Sequence, residues 1–293
     1  MDEGTQRLYE LHSHPELDRP VLVMAPEGWI DAGMGGATAL ASLLAGMTTE
    51  LVATFDVDDL LDHRARRPTS HILDGVYDDL VWPVIELRAG NDGHGHDVLV
   101  LSGPEPDHRW RAYAEAVAGL AQTFGVRLLV GLGAFPAPVP HTRRSKLAAS
   151  ATTAELANRI GVVAGRVEVP AGVLSAIAAR FAEIGVPAIG LWARVPHYTA
   201  SMPYPEASAL LLDGLAELSG IVIDVSELKE AAEATRRQLD ELTANSPQHT
   251  VLVQRLEAQA DVEAEDSLSG WGELPTGDEL AAELEKFLRG EAQ

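Results

Sequence analysis

The chain has 293 residues, 46% hydrophobic and only 5% aromatic, with no cysteine and a formal net charge of −22. The missing cysteines exclude disulfides, thiolate zinc sites and cysteine nucleophiles. A field of this sign repels phosphate backbones and anionic membranes, so neither nucleic acid nor a membrane is an expected partner. The first residues show no signal-peptide pattern, and no run approaches the ~18 apolar residues of a membrane span, so a cytoplasmic location is expected.

In chain order, an apolar run at 21–25 predicts a buried strand. A glycine-rich turn and an Ala/Leu-rich helix over 35–45 follow it. Residues 71–76 and 80–87, around Tyr77-Asp78-Asp79, read as a hairpin that makes the sheet mixed. Residues 91–96 form a turn-rich loop, and 97–101 a second buried strand. Asp107 is placed to N-cap a helix whose Trp110, Tyr113, Ala114, Val117 and Leu120 fall at helical spacing. Gly125 closes it before a strand at 126–130. The same grammar recurs three times. A helix runs to Ile160, then Gly161 and a strand at 162–167. A helix over 173–184 precedes Gly185 and a strand at 187–192. A helix over 206–219 precedes Gly220 and a strand at 221–225. A glycine just past a helix takes the left-handed C′ conformation without steric cost.

Strands alternating with helices of this length predict an α/β fold, a three-layer αβα arrangement with a mostly parallel, mixed sheet. The last quarter differs. From Asp224 onward there are 17 acidic against 6 basic residues. Val225, Leu228, Ala232, Thr235, Leu239 and Leu242 form a helical stripe. Asn245-Ser246-Pro247 breaks it, and Val253, Leu256 and Ala260 continue it. This reads as a C-terminal helical hairpin. The expected division is a body over 1–225 and an acidic extension over 226–293, polar and partly disordered from Gly270.

In a parallel sheet, ligands bind outside the C-terminal strand ends. Loops at that edge hold Glu27, Trp29, Asp31, Gly33 and Gly35, then Glu105, then His141, Thr142 and Arg143, and finally His197. These ten residues are the candidate ligand-binding rim. Amides of the 33–36 run can hold an anion, but close helix–sheet packing explains its glycines as well. The run lacks a P-loop's Gly-Lys-Ser/Thr ending. Residues 141–144 are a basic spot that either binds phosphate or carboxylate, or pairs with Glu27 or Glu105 to pin the loops. His94, His96 and Asp97 have the look of a metal set but read as a solvated loop. No G-x-S-x-G elbow or H-E-x-x-H motif is present, so no catalytic residue, metal or cofactor is assigned.

At these loops the chain resembles the proteasome assembly chaperone family, of the second-chaperone type, in its longer actinobacterial-like branch. The resemblance rests on Glu27-Gly28-Trp29-Ile30-Asp31-Ala32-Gly33, on Gly103-Pro104-Glu105-Pro106-Asp107 with Trp110, on Pro140-His141-Thr142-Arg143, and on Gly185-Val186-Pro187 leading to Pro196-His197-Tyr198. It spans about residues 20–225. It implies a fold similar to nucleoside phosphorylases and hydrolases, self-association, no established enzyme activity and a proteasome-related or other protein partner. Archaeal relatives can carry a C-terminal hydrophobic–Tyr–any tripeptide that docks into proteasome pockets; this sequence ends Glu291-Ala292-Gln293. Two functions follow. One is a non-enzymatic, homo-oligomeric interaction protein. The alternative is a small-molecule enzyme or binder with an anion site at the rim.

Overall fold

The computed structural model describes residues 8–28, 30–161 and 166–266. Its strands are β1 (Tyr9–Leu11), β2 (Val21–Met24), β3 (Thr49–Phe55), β4 (Thr69–Leu73), β5 (Val76–Val81), β6 (Glu86–Asn91), β7 (Asp97–Ser102), β8 (Leu128–Ala137), β9 (Leu147–Ala151) and β10 (Ala188–Pro196). Its helices are α1 (Gly35–Ala45), α2 (Val57–Leu60), α3 (Trp110–Thr123), α4 (Ala154–Asn158), α5 (Val173–Glu183), α6 (Pro205–Ser219), α7 (Ser226–Ala244) and α8 (Pro247–Asp266).

Eight strands form one sheet in the order β1-β3-β6-β7-β2-β8-β10-β9. The central four, β7-β2-β8-β10, are parallel. Antiparallel strands complete both edges. Alternation within the central strands fills two cores. Leu22, Met24, Leu99 and Leu101 pack with Tyr113 and Val117 of α3 and with Ile177 and Phe181 of α5. Val21, Val23, Val98 and Val100 face the other way, onto Leu40 and Leu43 of α1 and onto Leu211 and Leu215 of α6. A parallel sheet covered on both faces is the three-layer αβα arrangement the strand–helix alternation predicts.

The helix-ending glycines behave as the spacing predicts at three places: Gly125, Gly185 and Gly220 have φ of 66°, 74° and 80°. Other expectations need correction. The predicted strand at 221–225 is irregular chain. The Val222 amide donates to Asp92 Oδ2 at 2.9 Å instead of to a sheet neighbour, while Ile221 is buried against the second core. Of the predicted strand at 162–167, residues 162–165 lie outside the described residues, and 166–167 are irregular. The place beside β10 belongs to β9. Asp107 does not cap α3. Its carboxylate accepts from the Asp62 amide at 2.8 Å and pairs with Arg66, which pins the 62–66 loop to the body. The predicted hairpin is present with another turn. Asp74 and Gly75 both have positive φ, the signature of a two-residue hairpin loop. Its strands β4 and β5 stand apart as a two-stranded sheet, and the main sheet is mixed through its edge strands.

The hairpin of the tail is formed by α7 and α8, with Pro247 opening the second helix. It lies against the body: Leu239 is buried in the second core, with Val225 and Leu228 packed alongside. The polar end, 267–293, lies outside the described residues.

Candidate functional site

The C-terminal ends of β7, β2, β8 and β10 lie side by side, so the loops that leave them meet. Backbone bonds join the first two: Glu27 N donates to Gly103 O at 3.1 Å, and Glu105 N to Glu27 O at 2.9 Å. Glu27 itself is exposed, and Trp29 lies outside the described residues. Glu105 is buried, and its Oε1 accepts from the Val173 amide at 2.5 Å. It thereby caps α5, whose own N-cap residue, Gly172, has no side chain to do so. Gly28 is packed under it: a Cβ there would lie 2.7 Å from Glu105 Oε2.

The glycine-rich turn after β2 is closed in the same way. Asp31 Oδ1 accepts from the Gly36 amide at 2.7 Å and Oδ2 from the Ala37 amide at 2.9 Å. The N-terminal amides that could receive an external anion therefore already hold the chain's own carboxylate. Burial pushes the Asp31 carboxyl above its ordinary value, against the opposing pull of these two amides. The glycines are needed for contact. A Cβ on Gly35 would lie 2.8 Å from Ala134 Cβ, and one on Gly36 2.7 Å from the Leu132 carbonyl oxygen. Gly33 has φ 64°, and its backbone pairs with Ala200 O and Tyr204 N at 2.8 and 2.9 Å, which ties this turn to the loop after β10.

The loop after β8 is bound by the tail. His141 is 1% exposed. Its amide donates to Tyr198 Oη at 2.8 Å, and its Nδ1 lies 2.7 Å from the same oxygen. If the Tyr198 hydroxyl donates to Nδ1, the imidazole proton sits on Nε2, which faces Asp240 Oδ1 of α7 at 3.3 Å without hydrogen-bond geometry. Burial holds the imidazole below its ordinary pKa, against the raising effect of Asp240. Burial likewise pushes the Tyr198 hydroxyl up to about 12. The His197 ring stacks edge-on against Tyr198 at 5.4 Å. Thr142 Oγ1 donates to Glu257 Oε1 of α8 at 2.6 Å. Arg143 makes a two-pronged pair with Asp261, at 2.8 and 2.9 Å, and a third bond to Glu257 at 3.1 Å. Arg236 of α7 donates to Thr142 O at 3.0 Å.

The expectation that Arg143 pairs with Glu27 or Glu105 is thus corrected. Its partners are acids of the tail, because α8 runs directly over the 141–143 loop. Asp240, Glu257, Asp261 and Arg236 are the residues that sequence reading missed. The available signal was that Glu257 and Asp261 are four apart, on a face beside the Val253/Leu256 stripe.

The predicted rim residues therefore divide by loop: Glu27 and Glu105 are joined through their backbones, Asp31 closes the turn that holds Gly33 and Gly35, and His141 and His197 meet at Tyr198 while Thr142 and Arg143 are bonded to the tail. Two open hollows among the described residues, one at Ser70 and Tyr77–Leu80 and one at Asp18, Arg19, Gly95–Asp97 and Arg127, are lined by none of them. In the 91–97 loop, Asp92 binds both histidines at the surface: His96 Nδ1 lies 2.7 Å from its Oδ2, and His94, which is exposed, has Nδ1 3.1 Å from its carbonyl. Among the described residues, no group of three or more His, Asp or Glu is arranged to hold a metal ion. No helix among them is long and apolar enough to cross a membrane.

Fold and loops together define a class: an αβα protein whose strand-end loops are bonded by its own side chains and overlaid by its own helical hairpin. The PAC2 family profile matches residues 25–243, and the chain belongs to that family. A Corynebacterium glutamicum protein of unknown function is 32% identical, with a TM-score of 0.84 over 89% of this chain and 99% of that one. A Mycobacterium tuberculosis proteasome-assembly chaperone homologue is 31% identical, with a TM-score of 0.74 over 80% of this chain and 99% of its own. The archaeal proteasome activator PbaB of Pyrococcus furiosus shares the fold at 15% identity, with a TM-score of 0.59 over 81% of this chain and 99% of that one. A search of the curated proteins finds no match.

Proposed function

We propose that the chain is a non-enzymatic, self-associating interaction protein of the PAC2 family, with a proteasome-related protein as its partner and the cytoplasm as its place of work. Family membership and the name of the Mycobacterium tuberculosis relative support the partner class. The observation that carries the choice between protein and small molecule is the bonding of the strand-end loops. Asp31 fills the helix N-terminus, Glu105 caps α5, and Arg143 is engaged by Glu257 and Asp261. The α1 amides and Arg143, the anion-holding groups the rim offered, already bind the chain's own carboxylates, so a small anion would have to displace one. The net charge of −22 favours a protein partner over nucleic acid.

Calorimetric titration of the full chain with phosphate, nucleosides and nucleotides tests this reading. Flat traces at millimolar ligand are expected. Saturable heat with any of them would replace it with the small-molecule alternative.

A further inference from the structure

Arg143, Arg144 and Lys146 stand within one short loop of a chain whose net charge is −22, and all three are exposed. The tail answers one of them. Asp261 holds Arg143 at 2.8 and 2.9 Å, while Glu257 adds a bond at 3.1 Å and accepts from Thr142 Oγ1 at 2.6 Å. Arg144 and Lys146 have no carboxylate partner among the described residues. Glu257 and Asp261 lie one helical turn apart, so the contact has the form of an acidic helix laid across a basic loop.

The two helices of the tail are held differently. Apolar contact anchors α7: Leu239 lies in the second core, with Val225 and Leu228 beside it. Of the described side chains of α8, Val253 and Leu256 are buried, and its hold on the 142–143 stretch is made by the two acids. Those ion pairs are open to water: the side chains of Arg143, Glu257 and Asp261 are 42%, 26% and 57% exposed. Pairs this exposed contribute little and weaken with salt. Asn245-Ser246-Pro247 separates the helices, so α8 can leave while α7 stays. A helix that brings the same two carboxylates and further acids to Arg144 and Lys146 matches the loop better than α8 does.

We propose that α8 is a displaceable strap over the docking loop for an acidic helix of a partner protein: Glu257 and Asp261 hold the loop until the partner takes Arg143, Arg144 and Lys146 and pushes α8 aside. This names the chemistry of the partner and rests on the reading that the chain binds protein.

The absence of cysteine permits a direct test on the full chain. Spin labels at Ala41→Cys on α1 and Ala258→Cys on α8, both exposed positions, report the seating of α8 by pulsed electron resonance. The probe is a synthetic Ala/Glu peptide of roughly 20 residues, long enough to be helical, with glutamates one turn apart. The same peptide with glutamines is the control, and far-UV circular dichroism checks the fold of each variant. The labelled chain alone should give one narrow distance. The acidic peptide should add a second, longer one, and the glutamine peptide none. Glu257→Gln with Asp261→Asn should give the longer distance without peptide. Arg144→Ala with Lys146→Ala should keep the narrow distance and need several-fold more acidic peptide to reach the same open fraction. A distance unchanged in the Glu257/Asp261 variant, unmoved by the acidic peptide, or moved equally by the glutamine peptide overturns the strap and leaves the protein-binding reading standing. Saturable heat from a small ligand in the calorimetry overturns that reading without moving the strap distance.

Discussion

Replacing Asp31 by alanine removes both acceptors that hold the start of α1. The Gly36 and Ala37 amides, bonded at 2.7 and 2.9 Å in the wild type, are left without that acceptor. Loss of a capping side chain costs about 0.5–2 kcal/mol. Two bonds in a half-buried turn argue for the upper end, about 2 kcal/mol. Burial opposes part of this, since it already pushes the Asp31 carboxyl upward. At roughly 0.6 kcal/mol per kelvin of unfolding entropy for a chain of this size, the midpoint should drop by roughly 3 °C. Asp31→Asn keeps one acceptor and should fall between the two. The vacated amides form an anion site, so phosphate should partly restore the melting point of Asp31→Ala and leave the wild type unmoved. Differential scanning calorimetry with and without 50-fold changes in phosphate, on the scale of roughly 10 mM at the top, reads all of this. The reasoning is refuted if phosphate stabilises the wild type and Asp31→Ala abolishes the shift.

Leu239→Ala, in the buried stripe of α7, should cost about 2–3 kcal/mol, whereas Leu242→Ala, at a position 60% exposed, should change stability by less than ~0.5 kcal/mol; urea unfolding separates them. Gly36→Ala places a Cβ 2.7 Å from a carbonyl oxygen of β8 that cannot swing away, and should cost about 1–3 kcal/mol by the same assay. Burial holds His141 below its ordinary pKa, so its contribution to stability is present above about pH 6.5 and is lost as pH falls through the lowered value. Urea midpoints measured from pH 7.5 to 5 should therefore decline, and the decline should shrink in His141→Gln. Asp240, Glu257, Arg236 and Tyr198 all face this site and set the size of the effect.

The central strands were legible because parallel strands buried on both faces read as unbroken aliphatic runs, as in 21–24 and 98–101. The helix ends were legible through glycine, and Pro247 marked the start of α8. The edge strands were not. β3 is half-exposed, and β1 and β9 have three and five residues, so none carries a continuous apolar run. The strand predicted at 221–225 failed because a side chain far away in sequence, Asp92, takes its amide. At the rim, topology alone brought the loops after β2, β7, β8 and β10 to one edge. It gave no access to the partner of each charge. Arg143 finds Asp261, 118 residues away, and Glu105 finds the Val173 amide, 68 residues away. Pairings at that separation depend on how α8 and α5 lie over the loops, which local pattern does not encode.

The central claim is that this chain works by binding protein. Sedimentation velocity of the full chain mixed with proteasome α-subunits from its own source measures that most directly. The two should migrate together as a new, faster boundary at micromolar concentration. Independent boundaries across the whole concentration series would contradict it.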